Sequence, residues 1–214
     1  MVRPIDCPPM DARSRHPDAA HRPLPDTIID AARRLAISHG WARVRMGQVA
    51  AAAEVSRQTV YNEFATKTGL AEALAAREVE RFVTDVRTHL FAHGADAYAA
   101  SYAAIAHVLT EAAANPLLKA ILTSARGEAD PLLPFLTTRA DVVLVAATGV
   151  IQDWALSHFP GVDPEELAFD AESIVRLVVS HIMLPLTPVE QTAQRLAGLA
   201  AHFIAKARAT PGPA

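Results

Sequence analysis

Between Met46 and Lys67 the chain reads MGQVAAAAEVSRQTVYNEFATK, a pattern satisfied by two short helices joined by a tight turn. Val49, Ala50 and Ala53 give the first helix a small apolar face, and Val55 fills the turn. Ser56 is placed to cap a second helix starting at Arg57, because its side-chain oxygen can accept an N–H of the first turn that has no partner within the helix. Val60 and Phe64, four residues apart, share the inward face of that second helix. Arg57, Gln58, Thr59 and Asn62 stay outside as donors and acceptors suited to base edges, while Tyr61 and Lys67 suit phosphates. These features amount to the layout of a helix-turn-helix that reads double-stranded DNA.

The rest of the chain punctuates into helices. Thr27 to His39 carries Ile28, Ile29, Ala32, Leu35 and Ala36 at helical spacing, with Asp26 or Thr27 as its expected cap and Gly40 as its end. This helix braces the motif, and Trp41 is expected to plug the junction rather than touch a ligand. A fourth helix is expected over 67–92, with Leu70, Leu74, Val79, Phe82, Val83 and Val86 on its apolar side. Behind it come Ala95 to Ala114, with Tyr98, Tyr102, Ile105, Leu109 and Ala112 on one stripe, and a short helix from Pro116 to about Ser124. Pro134 to Phe159 is strongly apolar, and two last helices, about 164–184 and 188–208, flank the Pro185–Pro188 break. The fold class is therefore all-α, with about nine helices: a three-helix head and a helical rear bundle. The expected division is a Pro-rich disordered arm over 1–25, a DNA-binding head over 26–72, an effector-binding and dimerisation domain over 93–208, and a flexible tail over 209–214.

Composition excludes several alternatives. A net charge of -3 argues against a wholly basic nucleic-acid binder, but residues 1–90 hold thirteen Lys+Arg and eleven Asp+Glu against seven and twelve thereafter. A slightly basic front and an acidic rear suit a protein that meets DNA at one end. Cys7 is the only cysteine, so a disulfide framework within the chain and a four-cysteine metal site are both impossible. The longest apolar run, from Val142 past Thr148 to Ile151, is far shorter than a membrane span, and the first 25 residues contain six prolines and no apolar signal core. A reducing cytoplasm is the expected setting.

The run from Val55 through Phe64, followed by Lys67 and Leu70, resembles the TetR/AcrR family of transcriptional regulators over roughly Thr27 to Leu74. Tyr61 and Phe64 stand at the family's aromatic positions and Lys67 at its lysine. Two positions depart from the pattern. Glu54 stands where glycine is common, and Arg45 and Met46 replace a hydroxyl residue, so that Arg45 is the substitute phosphate contact. The resemblance implies a DNA site made of Arg45, Ser56, Arg57, Gln58, Thr59, Tyr61, Asn62 and Lys67. It also implies repression relieved by a small effector, held in a rear pocket lined by Tyr102, Leu109, Leu122, Val143, Val150 and Trp154. Such a lining would suit a hydrophobic compound.

The resemblance further implies a homodimer built from the last two helices, and the sequence gives two reasons of its own to expect one. The helix over 164–184 carries Leu167, Ala171, Ile174, Val178 and Ile182, with Val175, Val179 and Met183 beside them, a stripe too wide for a helix that covers only its own core. A single recognition helix also contacts only a few base pairs, whereas two related by a twofold axis enter successive major grooves about 34 to 36 Å apart.

Other readings compete with this one. His89 and His93 share a helical face at metal-ligand spacing, with Asp85 one turn earlier, which would suit a metal-responsive regulator; solvated histidines at a helix end explain the pair more simply. A helical dimer with impaired DNA binding is a second alternative. An all-α enzyme fails on inventory: there is no Glu-x-x-His set, no phosphate loop and no nucleophile elbow, so no catalytic residue, metal or cofactor is expected.

Overall fold

The computed structural model describes residues 23–115, 117 and 140–209, with the side chains of 140–142 left aside. The described residues form eight α-helices, α1 Leu24–His39, α2 Met46–Ala52, α3 Arg57–Phe64, α4 Lys67–Phe91, α5 Ala97–Ala114, α6 Ala140–His158, α7 Pro164–Met183 and α8 Val189–Ala209, plus a 3₁₀ turn at Trp41–Arg43. The short helix expected from Pro116 to Ser124 lies outside the described residues except for Leu117. The arm over 1–22 and the last five residues also lie outside them.

α1 starts earlier than its composition suggests. Its N-cap is Pro23, which donates no side-chain cap, and Pro25 occupies the first turn, where a missing N–H costs nothing. The expectation of an Asp26 or Thr27 cap is therefore corrected, and Leu24 and Pro25, assigned to the arm, are helical. Asp26 lies in the first turn, where a carboxylate favours the positive end of the helix dipole, and it pairs with Arg77 of α4. The helix ends at Gly40, whose φ of 77 is open to glycine and whose N–H bonds Ala36 O at 2.9 Å.

α2 and α3 are joined by a helix-ending motif in which Val55 N–H reaches back to Ala50 O at 2.9 Å and Glu54 N–H to Ala51 O at 3.3 Å. Glu54 takes the left-handed position with φ 57, at a cost of about 1 kcal/mol relative to glycine. Ile28, Val49, Val60, Leu70 and Leu74, fully buried, hold the three front helices together, and Trp41 is buried between them.

α4 is the spine of the molecule. Its front packs on α1 and α3, and its rear packs on α5 and α6. Three charged contacts fasten it to α1: Asp26 with Arg77, Asp30 with Arg81 at 2.7 Å, and Arg33 with the buried Glu78 at 2.7 Å. Asp26 and Asp30 are one turn apart, as are Arg77 and Arg81, so a turn of one helix is matched to a turn of the other in the same direction. Behind the head, α5, α6, α7 and α8 surround one apolar core. Trp154 donates from Nε1 to Gly94 O at 3.0 Å, pinning α6 to the loop after α4. Tyr98, expected on the core stripe of α5, is instead 46% exposed and stacks on Tyr102; Ser101, Ala104 and Val108 take the inward positions. No helix among the described residues is long and apolar enough to cross a membrane.

Glu78 shows how much the spine depends on its partners. Replacing Arg33 with Met keeps the apolar stem but leaves the buried carboxylate only Arg81, at 3.4 Å. The expected loss is about 1 to 3 kcal/mol in urea unfolding; an unchanged midpoint would show that the α1–α4 contact does not hold the fold.

Candidate nucleic-acid interface and ligand cavity

The surface of α3 is polar because its single buried side chain is Val60. Arg57, Gln58, Tyr61 and Asn62 are exposed and Thr59 is half-buried, so these five side chains of the expected site share one short helix. Ser56 caps it: its hydroxyl accepts from Thr59 N–H at 3.0 Å and lies 2.8 Å from the Thr59 hydroxyl. Gln58 Nε2 donates to Asn62 Oδ1 at 2.8 Å, an i, i+4 contact that holds the two exposed amides together along the helix. Arg57 lies across α2, its guanidinium over Gly47, where an added Cβ would come within 2.8 Å of Nε. The glycine inside α2 thus has a local reason: it leaves room for the arginine to lie flat.

Arg45 is the N-cap of α2. Its backbone N–H is taken by Gln48 Oε1 at 3.0 Å, and its exposed side chain extends beside the start of the motif. Lys67 departs from the simplest expectation. Its ammonium donates to Ala42 O at 3.2 Å and stands 5.5 Å from the Trp41 ring centre, tying α4 to the 3₁₀ turn. An ammonium has three donors, so this contact leaves others for a phosphate. Sequence reasoning missed Arg34, which reaches Ala52 O at 3.4 Å and ties α1 to the end of α2.

The junction between α3 and α4 is tight. Ala65 takes φ 55, and Thr66 N–H turns back to Phe64 O at 2.5 Å; Thr66 then caps α4 by accepting from Gly69 N–H at 2.9 Å. A Cβ on Gly69 would stand 2.4 Å from Phe64 O, so only glycine lets α4 start this close to the end of α3.

The rear bundle holds a partly open cavity of about 90 Å³ with walls from α4, α5, α6, α7 and α8. Val143 and Trp154, expected on such a wall, are there. The other expected contacts do not fall on this lining. Tyr102 stacks on Tyr98 at 6.3 Å, away from the lining. Val150 is buried without lining the cavity, and Leu109 lines a second, smaller cavity of about 70 Å³ beside His181 and Thr192. Leu122 lies outside the described residues. The walls that the sequence did not reveal come from α4 (Phe82, Val86), α7 (Ile174, Val178) and α8 (Phe203, Ile204). The wide stripe of α7 is largely accounted for by this cavity and the core. What stays outward is Phe169, 73% exposed, and Leu177, with Leu184 just beyond the helix end.

Asp170 and Ser101 are the polar residues of the main lining. Asp170 is buried, and its Oδ2 has no hydrogen-bond partner among the described residues. Burial raises its pKa above the ordinary carboxylate range, with Lys206 opposing the shift and Glu166 adding to it.

The His89 ring packs against a neighbouring helix. His89 stacks on His107 of α5 at 4.1 Å, and His107 Nε2 is 3.9 Å from Asp85. Burial first, and His89 second, lower the His107 pKa, with Asp85 and Glu111 opposing. No group of three His, Cys, Asp or Glu among the described residues is placed to hold a metal ion.

This architecture has known counterparts. The family described as "Bacterial regulatory proteins, tetR family" matches residues 28–74, and "Bacterial Tetracyclin repressor, C-terminal domain" matches residues 96–202. The chain is 31% identical over 192 residues to the HTH-type transcriptional regulator AlkX of Mycobacterium tuberculosis, covering 89% of this chain and 90% of that protein. It is also similar to the crystal structure of the TetR family repressor AlkX from Dietzia sp. strain DQ12-45-1b, implicated in biodegradation of n-alkanes. That likeness has 30% identity and a TM-score of 0.66, with 85% of this chain and 97% of that one covered. The fatty acid degradation regulator FadR of Bacillus halodurans, 18% identical with a TM-score of 0.55 over 82% of this chain and 96% of that one, shares the fold.

Gly69→Ala tests the α3–α4 junction. Because the atom it meets is backbone, the expected cost is about 1 to 3 kcal/mol in chemical denaturation, with α3 displaced. A wild-type midpoint would mean that the close approach is not a constraint.

Proposed function

The chain belongs to the TetR family of bacterial transcriptional regulators, and we propose that it acts in the cytoplasm as a homodimeric repressor of a palindromic operator, released by a small apolar effector. The observation that carries this reading is the pairing of an exposed polar face on α3 with an apolar cavity, both anchored to the single helix α4. Arg57, Gln58, Thr59 and Asn62 read bases. Tyr61, Lys67, Arg45 and Ser56 hold the phosphate backbone, which fixes register without adding sequence information. The likeness to the Dietzia repressor, which is implicated in n-alkane biodegradation, supports both repression and an apolar effector.

The switch follows from the shared spine. A ligand seated between α4 and the rear helices shifts the equilibrium toward whichever tilt of α4 it prefers, and it can do so only by its differential affinity for the two states. A coupling of about 1 to 3 kcal/mol is typical and lowers operator affinity roughly 5- to 150-fold. The spacing of the two heads matters because a twofold operator admits both recognition helices only about 34 to 36 Å apart.

Dimerisation uses α7 and α8. Phe169 and Leu177 support it as large apolar side chains on the outer face of α7. Light scattering at micromolar concentration is expected to give twice the chain mass, and Leu177→Glu together with Phe169→Glu to give a monomer that no longer binds the operator. A wild-type monomer would rule out this assembly.

Gel shifts against the upstream region of its own gene, at two salt concentrations, test DNA reading. Specific binding is expected to weaken steeply as salt rises. Gln58→Ala is expected to lose about 1 to 3 kcal/mol of discrimination at particular base pairs, whereas Lys67→Ala weakens binding to every sequence and flattens the salt dependence. Equal loss across sequences from both variants would contradict these roles.

A further inference from the structure

The main cavity is apolar on almost every side, yet one carboxylate is built into its wall. Asp170 sits on the buried face of α7, between Leu167 and Ile174; it lines the cavity, and its Oδ2 has no hydrogen-bond partner among the described residues. A buried polar atom without a partner is costly, so a carboxylate kept in this place marks a position where a donor arrives from elsewhere. The nearby charges favour a particular kind of donor. Glu166 lies one turn before Asp170 on α7, and Lys206 of α8 is 3.5 Å from Glu166 Oε1. At Asp170 the influence of Lys206 outweighs that of Glu166, so the negative charge offered to the cavity is that of the Asp170 carboxylate itself, which repels an anionic head group and attracts a neutral or cationic donor.

Resting on the effector reading above, we propose that the cavity recognises an amphipathic molecule with an apolar chain and a hydrogen-bond-donating head, an alcohol or an alkylammonium, whose donor satisfies Asp170 Oδ2. The same chain ending in a carboxylate is disfavoured. The apolar walls, including Val86, Ile105, Val143 and Phe203, supply sequence-independent burial of the chain, and Asp170 supplies the choice of head. A site that buries a polar group to meet a ligand donor discriminates more sharply than one that measures chain length alone, because the wrong ligand leaves that group unpaired.

The test is calorimetric titration of the full-length protein at pH 7.5 with 1-octanol, octylamine and octanoate, three ligands of one chain length. Hydrogen bonds to a charged group predict that the alcohol and the amine bind roughly 10- to 100-fold more tightly than octanoate. Asp170→Leu is expected to abolish that ranking while 1-octanol still binds. Asp170→Asn, which keeps an acceptor, is expected to retain the alcohol and lose the advantage of the amine. Octanoate binding as tightly as 1-octanol to the wild type, or an unchanged ranking in Asp170→Leu, would overturn the head-group assignment and leave an apolar effector site standing. Binding of none of the three would overturn the effector reading as well.

Discussion

The fit between α1 and α4 is the constraint on which the other parts depend. Among the described residues α4 packs on both the front helices and the rear bundle, so the orientation of the head is set by what fastens it there. Apolar contact alone would allow the two helices to slide by a fraction of a turn. Asp26 with Arg77 and Asp30 with Arg81 remove that freedom, because each carboxylate meets its guanidinium at only one register. The buried Glu78, shared by Arg33 and Arg81, adds a group that must stay paired. Such contacts are modest as sources of net stability, since exposed or half-exposed ion pairs contribute little, and their value here is geometric.

The head adds a second rigid joint at the start of α4. Between the last residue of α3 and the first turn of α4 there is a single reversed residue, Ala65, and no room for a side chain at Gly69. Lys67 adds a bond to the 3₁₀ turn above the Trp41 ring. A tilt of α4 is therefore not absorbed by a flexible linker. It is passed to α3 and its outward face of Arg57, Gln58, Tyr61 and Asn62.

The parts legible in the sequence are those governed by neighbours in the chain. Ser56 marks the start of α3 because capping is a three-residue affair, and the left-handed position of Glu54 follows from the turn it occupies. All-helical architecture, the buried Trp41 and the inward Val60 follow from periodicity and punctuation. The parts that were not legible depend on packing between distant elements. Asp26 and Thr27 look like caps, but the residue spacing cannot show that Pro25 fits the first turn and that Asp26 is held by Arg77. Tyr102 and Leu109 share a helix face with residues of the main cavity wall, and only the angle of α5 against its neighbours decides which of them meet that cavity. The apolar stripes of α7 and α8 suggest an interface, and spacing alone does not show that their inner faces wall the cavity.

Trp154 and Trp41 are the two tryptophans of the chain, and each stands in a different functional half. Trp154 forms part of the cavity wall with its indole N–H on Gly94 O, while Trp41 lies under the ammonium of Lys67 at the base of the head. The molecule thus carries its own pair of fluorophores, one beside the chamber and one beside the reader. Emission from single-tryptophan variants therefore separates a change beside the chamber from a change at the base of the head, without any attached dye.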